Sequence, residues 1–318
     1  IPDGSGSVHR GSGWTPLRLT ARAYFSRWLG NLSVQRGASP LYCSLQVGRD
    51  GRDGATIPPM ADIRIVVSGS GKMGRQVAEA LTAEFGLTAV AFLDGLATVG
   101  KIDHLPVFSD AVACFADKTP DVVIDFTNAS WTPGLAEAAL VSGVRMVIGT
   151  TGLSVEFMSW LDGEAKKRKV GVVVAPNFAI GAVLMMHFAR QAARFFDNAE
   201  IIELHHDQKV DAPSGTAKMT AELMRAAREE SFIHPPTEKE TIPGARGAEY
   251  GGIAIHSVRL PGLVAHQEVL FGGLGQTLSI RHDTTGRESF MPGVLLATKA
   301  VMDLDHLVVG LDALFGLT

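Results

Sequence analysis

Residues 63–68, Ile-Arg-Ile-Val-Val-Ser, run directly into Gly69-Ser70-Gly71-Lys72-Met73-Gly74, and an amphipathic stretch opens at Lys72. The β-branched run reads as a buried strand. Met73, Val77, Ala80 and Leu81 share one face of a helix over 72–85. A glycine-x-glycine-x-x-glycine loop between a strand and a helix restricts the chain severely. Its first glycine permits a tight turn, its second lets backbone approach a pyrophosphate, and its third allows the helix to press on the strand. The helix start adds unpaired N–H groups and a partial positive charge. Gly69, Ser70, Gly71, Lys72, Met73 and Gly74 are therefore expected to cradle a dinucleotide.

The pattern continues. Strands are expected at 87–93, 122–126, 144–148 and 170–175, with helices at 131–141 and 155–169. Strands alternating with helices predict a doubly wound, Rossmann-type parallel sheet covered on both faces. The character changes after Pro176. A long apolar helix over 179–196, a strand over 199–206 and a helix over 214–230 come first. An aperiodic stretch rich in Pro, Gly and charge at 234–251 reads as a mobile loop. Strand candidates follow at 253–260, 264–271 and 276–282, separated by Pro-Gly or Gly-Gly turns. This predicts a second, mixed-sheet α+β domain for substrate and oligomerisation. The expected division is 60–178, 179–286 and a C-terminal 287–318, with helices at 289–302 and 311–315.

Residues 1–59 differ, with seven Arg and no Lys against Asp3, Asp50 and Asp53. Three readings compete: non-native upstream sequence with Met60 as the start, an appended leader, or an organelle transit peptide. A basic amphipathic helix drawn over 17–29 supports the last. A non-functional leader is the expectation, and the segment stays outside the fold argument. An apolar share of 46% against 19% charged residues supports a large core. The net charge of −4 argues against nucleic acid. Cys43 and Cys114 match no metal spacing, which points to a reducing, cytoplasmic setting. Residues 170–186 carry no charge, but Gly171, Pro176, Asn177 and Gly181 interrupt them, and a membrane span needs about 20 apolar residues. No membrane partner is expected.

Asp94 ends the second strand 25 residues after Gly69, near the roughly 20-residue spacing of a ribose-binding acid. A solvated turn acid is the rival reading. If Asp94 binds the ribose, it repels a 2′-phosphate, and Lys101 is the one cation in the loop to offset this. The expectation is NADH preferred, or NADH and NADPH both used. Asp125-Phe126-Thr127, Gly149-Thr150-Thr151-Gly152 and Ala175-Pro176-Asn177-Phe178 lie at strand carboxyl ends, where open parallel sheets bind ligands. Together they fit a nicotinamide-riboside groove, with Asn177 and the glycine–threonine backbone on the carboxamide. Asp125 alone reads as an ordinary turn acid.

The densest chemistry lies at 203–217. His205 and His206 end a strand, Lys209 follows, and Ser214-Gly215-Thr216 opens a helix. On an extended segment the two imidazoles point to opposite faces, so they do not share one metal, and no metal is expected. A histidine or lysine beside a hydride acceptor can supply the proton that follows the transferred electron pair. Lys209 is either that acid or a fixed charge against a carboxylate. Ser214 reads as an N-cap, and the N–H groups of Gly215 and Thr216 as a carboxylate cradle. Asp211 reads as fixing this turn, and Arg287 is a weaker candidate for a cofactor or carboxylate contact.

Glu-x-His-His-x-x-Lys-x-Asp-Ala-Pro-Ser-Gly-Thr-Ala, with the Gly-Thr-Thr-Gly and Ala-Pro-Asn-Phe turns upstream in the same order, resembles the signature of the 4-hydroxy-tetrahydrodipicolinate reductase (dihydrodipicolinate reductase) family. The likeness runs from about residue 62 to the C-terminus. It implies reduction of 4-hydroxy-tetrahydrodipicolinate, a small dicarboxylate, to tetrahydrodipicolinate in lysine and diaminopimelate biosynthesis. It also implies NADH and/or NADPH, a homotetramer, and a C-terminal tail that returns to the first domain. It assigns proton donation to His205 and Lys209 without choosing between them, and substrate contact to His206. Two departures stand out. The family's glycine loop often runs one residue longer, and many members carry a basic residue where this chain has Gly95. Two rivals remain: a dehydrogenase of this architecture acting on an amino acid, and a nucleotide-sensing protein without turnover.

Overall fold

The computed structural model describes residues 62–97 and 100–317, so the expectations for 1–59 fall outside the described residues. Apolar residues of β1 (Ile63–Ser68) are wholly buried at Ile65, Val66 and Val67. α1 (Lys72–Ala83) buries Gly74, Val77, Ala78 and Leu81 on one face. Then follow β2 (Leu87–Leu93), β3 (Lys101–Ile102), β4 (Leu105–Phe108), α2 (Ala111–Lys118) and β5 (Val122–Asp125). α3 (Thr132–Ser142), β6 (Arg145–Ile148), α4 (Val155–Arg168) and β7 (Val172–Val174) complete the alternation. Caps mark the ends: Asp110 accepts from Ala113 N at 2.7 Å and Ser154 from Phe157 N at 3.1 Å.

The second half contains α5 (Ile180–Ala192), β8 (Asn198–His205), α6 (Gly215–Ala226), β9 (Ala248–Tyr250), β10 (Ile253–Arg259), β11 (Ala265–Gly273) and β12 (Gln276–Thr284). A 3-10 turn leads into α7 (Met291–Ala300), and β13 (Leu307–Val309) and α8 (Leu311–Leu314) end the chain.

The first sheet has eight strands in the order β13-β7-β6-β5-β1-β2-β4-β3, parallel throughout except for β3 on β4. The strand order reverses beside β1, so β2 and β5 flank it and a crevice opens above their carboxyl ends. The second sheet is mixed, in the order β12-β11-β8-β10-β9, with α5 and α6 packed on one face through Ala189, Ile201, Ala217, Ala221, Met224 and Phe271.

Residues 94–121, left without elements in the sequence, form β3, β4 and α2, whose strands are too short to show a period. Likewise β13 is three residues long, yet it extends the sheet beside β7. The expected mobile loop at 234–251 ends in β9, an edge strand paired with β10. The turn between β10 and β11 does not make a hairpin. β8 lies between them, parallel to β10 and antiparallel to β11. The helix expected over 289–302 is one α-helix between two 3-10 turns, at Arg287–Phe290 and Val301–Asp303.

Candidate active site

The glycine loop leaves β1 with Gly69 at a φ of 96°, a conformation that favours glycine. Gly69 N donates to Leu93 O at 2.8 Å, tying the turn to the end of β2. A Cβ on Gly74 would collide with the Gly69 carbonyl oxygen, whereas nothing lies within 4 Å of the Cβ position at Gly71. The third glycine thus serves helix–strand closeness, and the second leaves backbone open to a ligand. Gly71 is the N-cap of α1 without a side-chain partner, and Lys72 beside it is exposed while Met73 leans on the core. These features fit a pyrophosphate.

Asp94 Oδ2 accepts from Ser70 N at 3.0 Å and Ser70 Oγ at 2.5 Å, and Oδ1 accepts from Leu96 N at 3.0 Å. Burial by itself would raise the Asp94 carboxyl. The bonds from Ser70 and Leu96 outweigh it and hold the group below its ordinary value. Asp94 is therefore an ionised acid joined to the glycine loop. Lys101 lies exposed on β3.

Asp125 is no ordinary turn acid. It is fully buried and accepts from Thr127 Oγ1 at 2.7 Å, Thr132 Oγ1 at 2.6 Å and Thr150 Oγ1 at 2.9 Å. Thr150 Oγ1 also accepts from Thr127 N at 3.1 Å. One carboxylate thus joins the turns after β5 and β6, the start of α3 included. Phe126 packs edge-on against Phe178 at 5.3 Å, and its ring fills the place a Cβ on Gly149 would need. Thr151 and Pro176 are exposed and Ala175 is buried, while Asn177 Oδ1 accepts from Ala179 N at 2.9 Å and leaves its NH2 for a ligand.

On β8, Ile201, Glu203 and His205 share the face under α6. Register sets Ser257 beside Glu203 and Arg259 beside His205. Glu203 has no exposed surface and takes two bonds from Arg259, Nη1 to Oε2 at 3.0 Å and Nη2 to Oε1 at 2.8 Å. Its Oε1 also accepts from Ser214 N at 3.3 Å, and its Oε2 binds His205 Nδ1. Burial alone would raise this carboxyl, but the bonds from His205, Arg259 and Ser257 hold it down at about 2. An ionised carboxylate only accepts, so Nδ1 of His205 carries the proton and Nε2 is the ring nitrogen left for chemistry.

Arg259 Nη2 also donates to Asp211 O at 2.7 Å. Lys209 Nζ meets Asp211 Oδ1 at 2.6 Å, which holds the Asp211 carboxyl below its ordinary value. Ser214 Oγ accepts from Ala217 N at 3.2 Å and caps α6, where Gly215 is exposed and Thr216 half-buried. His206 is exposed and accepts the turn bond from Lys209 N. Arg287 is exposed on its 3-10 turn.

His205, Ser214 and the 209–211 turn are thus brought together through Glu203 and Arg259. The glycine loop and Asp94 form one further network, and the Asp125 turns another. No hydrogen bond among the described residues joins these to the His205 cluster. Sequence reasoning missed Arg259, whose role depends on strand order, and gave Glu203 no role although it stands two residues before His205, on the same face of the strand. Among the described residues no group of three metal-ligating side chains occurs.

The family model for the N-terminus of dihydrodipicolinate reductase matches residues 63–178, and that for its C-terminus matches 181–315. The 4-hydroxy-tetrahydrodipicolinate reductase of Geobacillus kaustophilus is 52% identical over 263 residues, covering 79% of this chain and 98% of the relative. That of Moorella thermoacetica is 50% identical, covering 80% and 98%. A dipicolinate-bound dihydrodipicolinate reductase from Paenisporosarcina sp. TG-14 superposes with a TM-score of 0.74 at 44% identity, covering 79% of this chain and 99% of that one. An amine dehydrogenase from Mycobacterium smegmatis, with a TM-score of 0.57 at 15% identity, shares the fold.

Proposed function

The chain belongs to the dihydrodipicolinate reductase family, and we infer that it reduces 4-hydroxy-tetrahydrodipicolinate to tetrahydrodipicolinate with a reduced nicotinamide dinucleotide. It is an oxidoreductase of lysine and diaminopimelate biosynthesis. The observation that carries the site reading is His205, held through Nδ1 by a carboxylate that bears its charge in a fully buried place.

The nicotinamide dinucleotide supplies the hydride. Residues 69–74 would hold its pyrophosphate, Asp94 its adenosine ribose, and Gly149, Thr150, Thr151 and Ala175 to Phe178 its nicotinamide end. The substrate loses its hydroxyl as water and takes up one hydride and one proton. His205 Nε2 or Lys209 Nζ delivers that proton. The α6 N-terminus, through Gly215 and Thr216, holds one carboxylate, with His206 beside it. Lys209 is half-buried against Asp211, so it reaches substrate by exchanging that partner for a carboxylate or by giving up a proton.

Asp94 has its charge and lacks a basic neighbour at Gly95, which supports NADH over NADPH. The sheet face away from α5 and α6 presents half-exposed Ile202, Leu204 and Leu270, in keeping with a homotetramer. Among the described residues no helix is long and apolar enough to cross a membrane, and a cytoplasmic enzyme is the accompanying proposal.

The test is a coupled assay in which the substrate is generated in situ and NADH or NADPH absorbance is followed on the full chain. Substrate-dependent oxidation with a higher kcat/KM for NADH is the expected result. Cofactor binding without oxidation would leave a nucleotide sensor, and a strong NADPH preference would overturn the Asp94 argument.

A further inference from the structure

Trp131 is attached after β5 yet reaches across two other strand ends. Its Nε1 donates to Ser68 Oγ at 3.1 Å, where β1 enters the glycine loop. At its other edge, a Cβ on Gly95 would stand 2.6 Å from Cζ3 and 2.9 Å from Cη2. Gly95 has no left-handed φ, so the indole, rather than the backbone, is what requires glycine there. The backbone of Trp131 is fixed as well, because Asn128 Oδ1 accepts from Trp131 N and Ser130 N, each at 3.1 Å.

The indole thus lies across the carboxyl ends of β5, β1 and β2, beside Asp94. That is the switch-point crevice where the adenosine half of a dinucleotide sits when its pyrophosphate is on the loop. A purine has a π-face, and an aromatic side chain is a platform for it. A 2′-phosphate would add about −1.5 to −2 charges next to the Asp94 carboxylate. It would need a cation on the ground that the indole edge holds over Gly95. Arg75, with Nε on Ser70 O at 3.1 Å, is the one cation hydrogen-bonded to this loop among the described residues.

We propose that Trp131 is the platform of the adenosine subsite and, by covering Gly95, a specificity residue that favours an unphosphorylated ribose. This rests on the dinucleotide reading above.

Calorimetry on the full chain with ADP-ribose and 2′-phospho-ADP-ribose tests it, with dipicolinate as the probe of the other ligand site and Arg75 retained throughout. Trp131→Ala should weaken ADP-ribose about tenfold, the scale of one base–aromatic stack, while dipicolinate affinity stays within about twofold. Trp131→Phe should keep most of the affinity. Gly95→Arg alone should gain little for the 2′-phosphate because the indole blocks it, whereas Gly95→Arg with Trp131→Ala should raise the relative affinity tenfold or more. Unchanged ADP-ribose affinity in a Trp131→Ala chain that still binds dipicolinate would overturn the platform. A gain from Gly95→Arg alone equal to the double variant would overturn the specificity role. If Trp131→Ala does not fold, loss of ADP-ribose binding in a folded Trp131→Phe chain overturns simple stacking, and retention upholds it. Absence of 4-hydroxy-tetrahydrodipicolinate turnover would sink the reductase reading and leave these affinities as informative as before.

Discussion

Glu203 sits where a carboxylate is costly unless paired, and it is paired on both oxygens. Its carboxyl falls from an ordinary 4.5 to about 2 on folding. Its contribution, about 3 kcal/mol, is therefore complete above pH 4.5 and is lost as pH drops towards 2. Glu203→Gln removes that acid-dependent portion and leaves Arg259 without its anion. A loss of roughly 3–5 kcal/mol at neutral pH is expected, together with a flatter stability between pH 4.5 and 2, read from urea unfolding across pH. Unaltered acid dependence would show that the charge is held elsewhere. His205→Gln and Lys209→Ala separate the two proposed candidates for proton donor. The true donor should lose about 100-fold or more in kcat, and a residue acting only as a charge should chiefly raise KM. Steady-state kinetics decides, and full turnover without the Lys209 amine would remove it from the mechanism. Glu203 was present in the signature, but its role was not legible, because Arg259 reaches it only across a parallel strand pair.

At the scale of elements, two helix starts carry the proposed binding sites, and each has a different weak point. α6 depends on its Ser214 cap. Ser214→Ala should cost about 1 kcal/mol of stability and raise KM for substrate, as followed by unfolding and initial rates. A KM that does not move would separate the cap from the carboxylate cradle. α1 depends on closeness instead, since a Cβ at Gly74 meets the Gly69 carbonyl. Gly74→Ala should cost about 1–3 kcal/mol and abolish ADP-ribose binding while dipicolinate still binds. Retained ADP-ribose affinity would place the pyrophosphate elsewhere. Both starts were readable from sequence because each is set by neighbours within a few positions. β3, β4, β9 and β13 were not, because these short strands lie at or beside the sheet edges and are held by the sheet they join rather than by a pattern of their own.

Across the whole molecule, the residues proposed for cofactor and for proton delivery belong to separate hydrogen-bonded networks, and the chain passes from the first sheet to the second after β7 and back after β12, near 177–180 and 284–288. The proposed reaction requires both networks to close on one ligand pair. Hydrogen exchange with ADP-ribose and dipicolinate together should slow the amides of these crossings more than either ligand alone. Equal protection by either ligand would mean that no closure occurs. The sequence by itself determined the alternating parallel sheet, the glycine loop, the imidazole–ammonium segment and its helix start, because periodicity, turns and caps are local. Tertiary structure alone decided the rest. It buried Asp125 as a brace between two turns, put β8 between β10 and β11, brought Arg259 onto Glu203, and laid Trp131 over Gly95. Each of these joins residues far apart in the chain, and strand order and packing, which no local pattern encodes, set those distances.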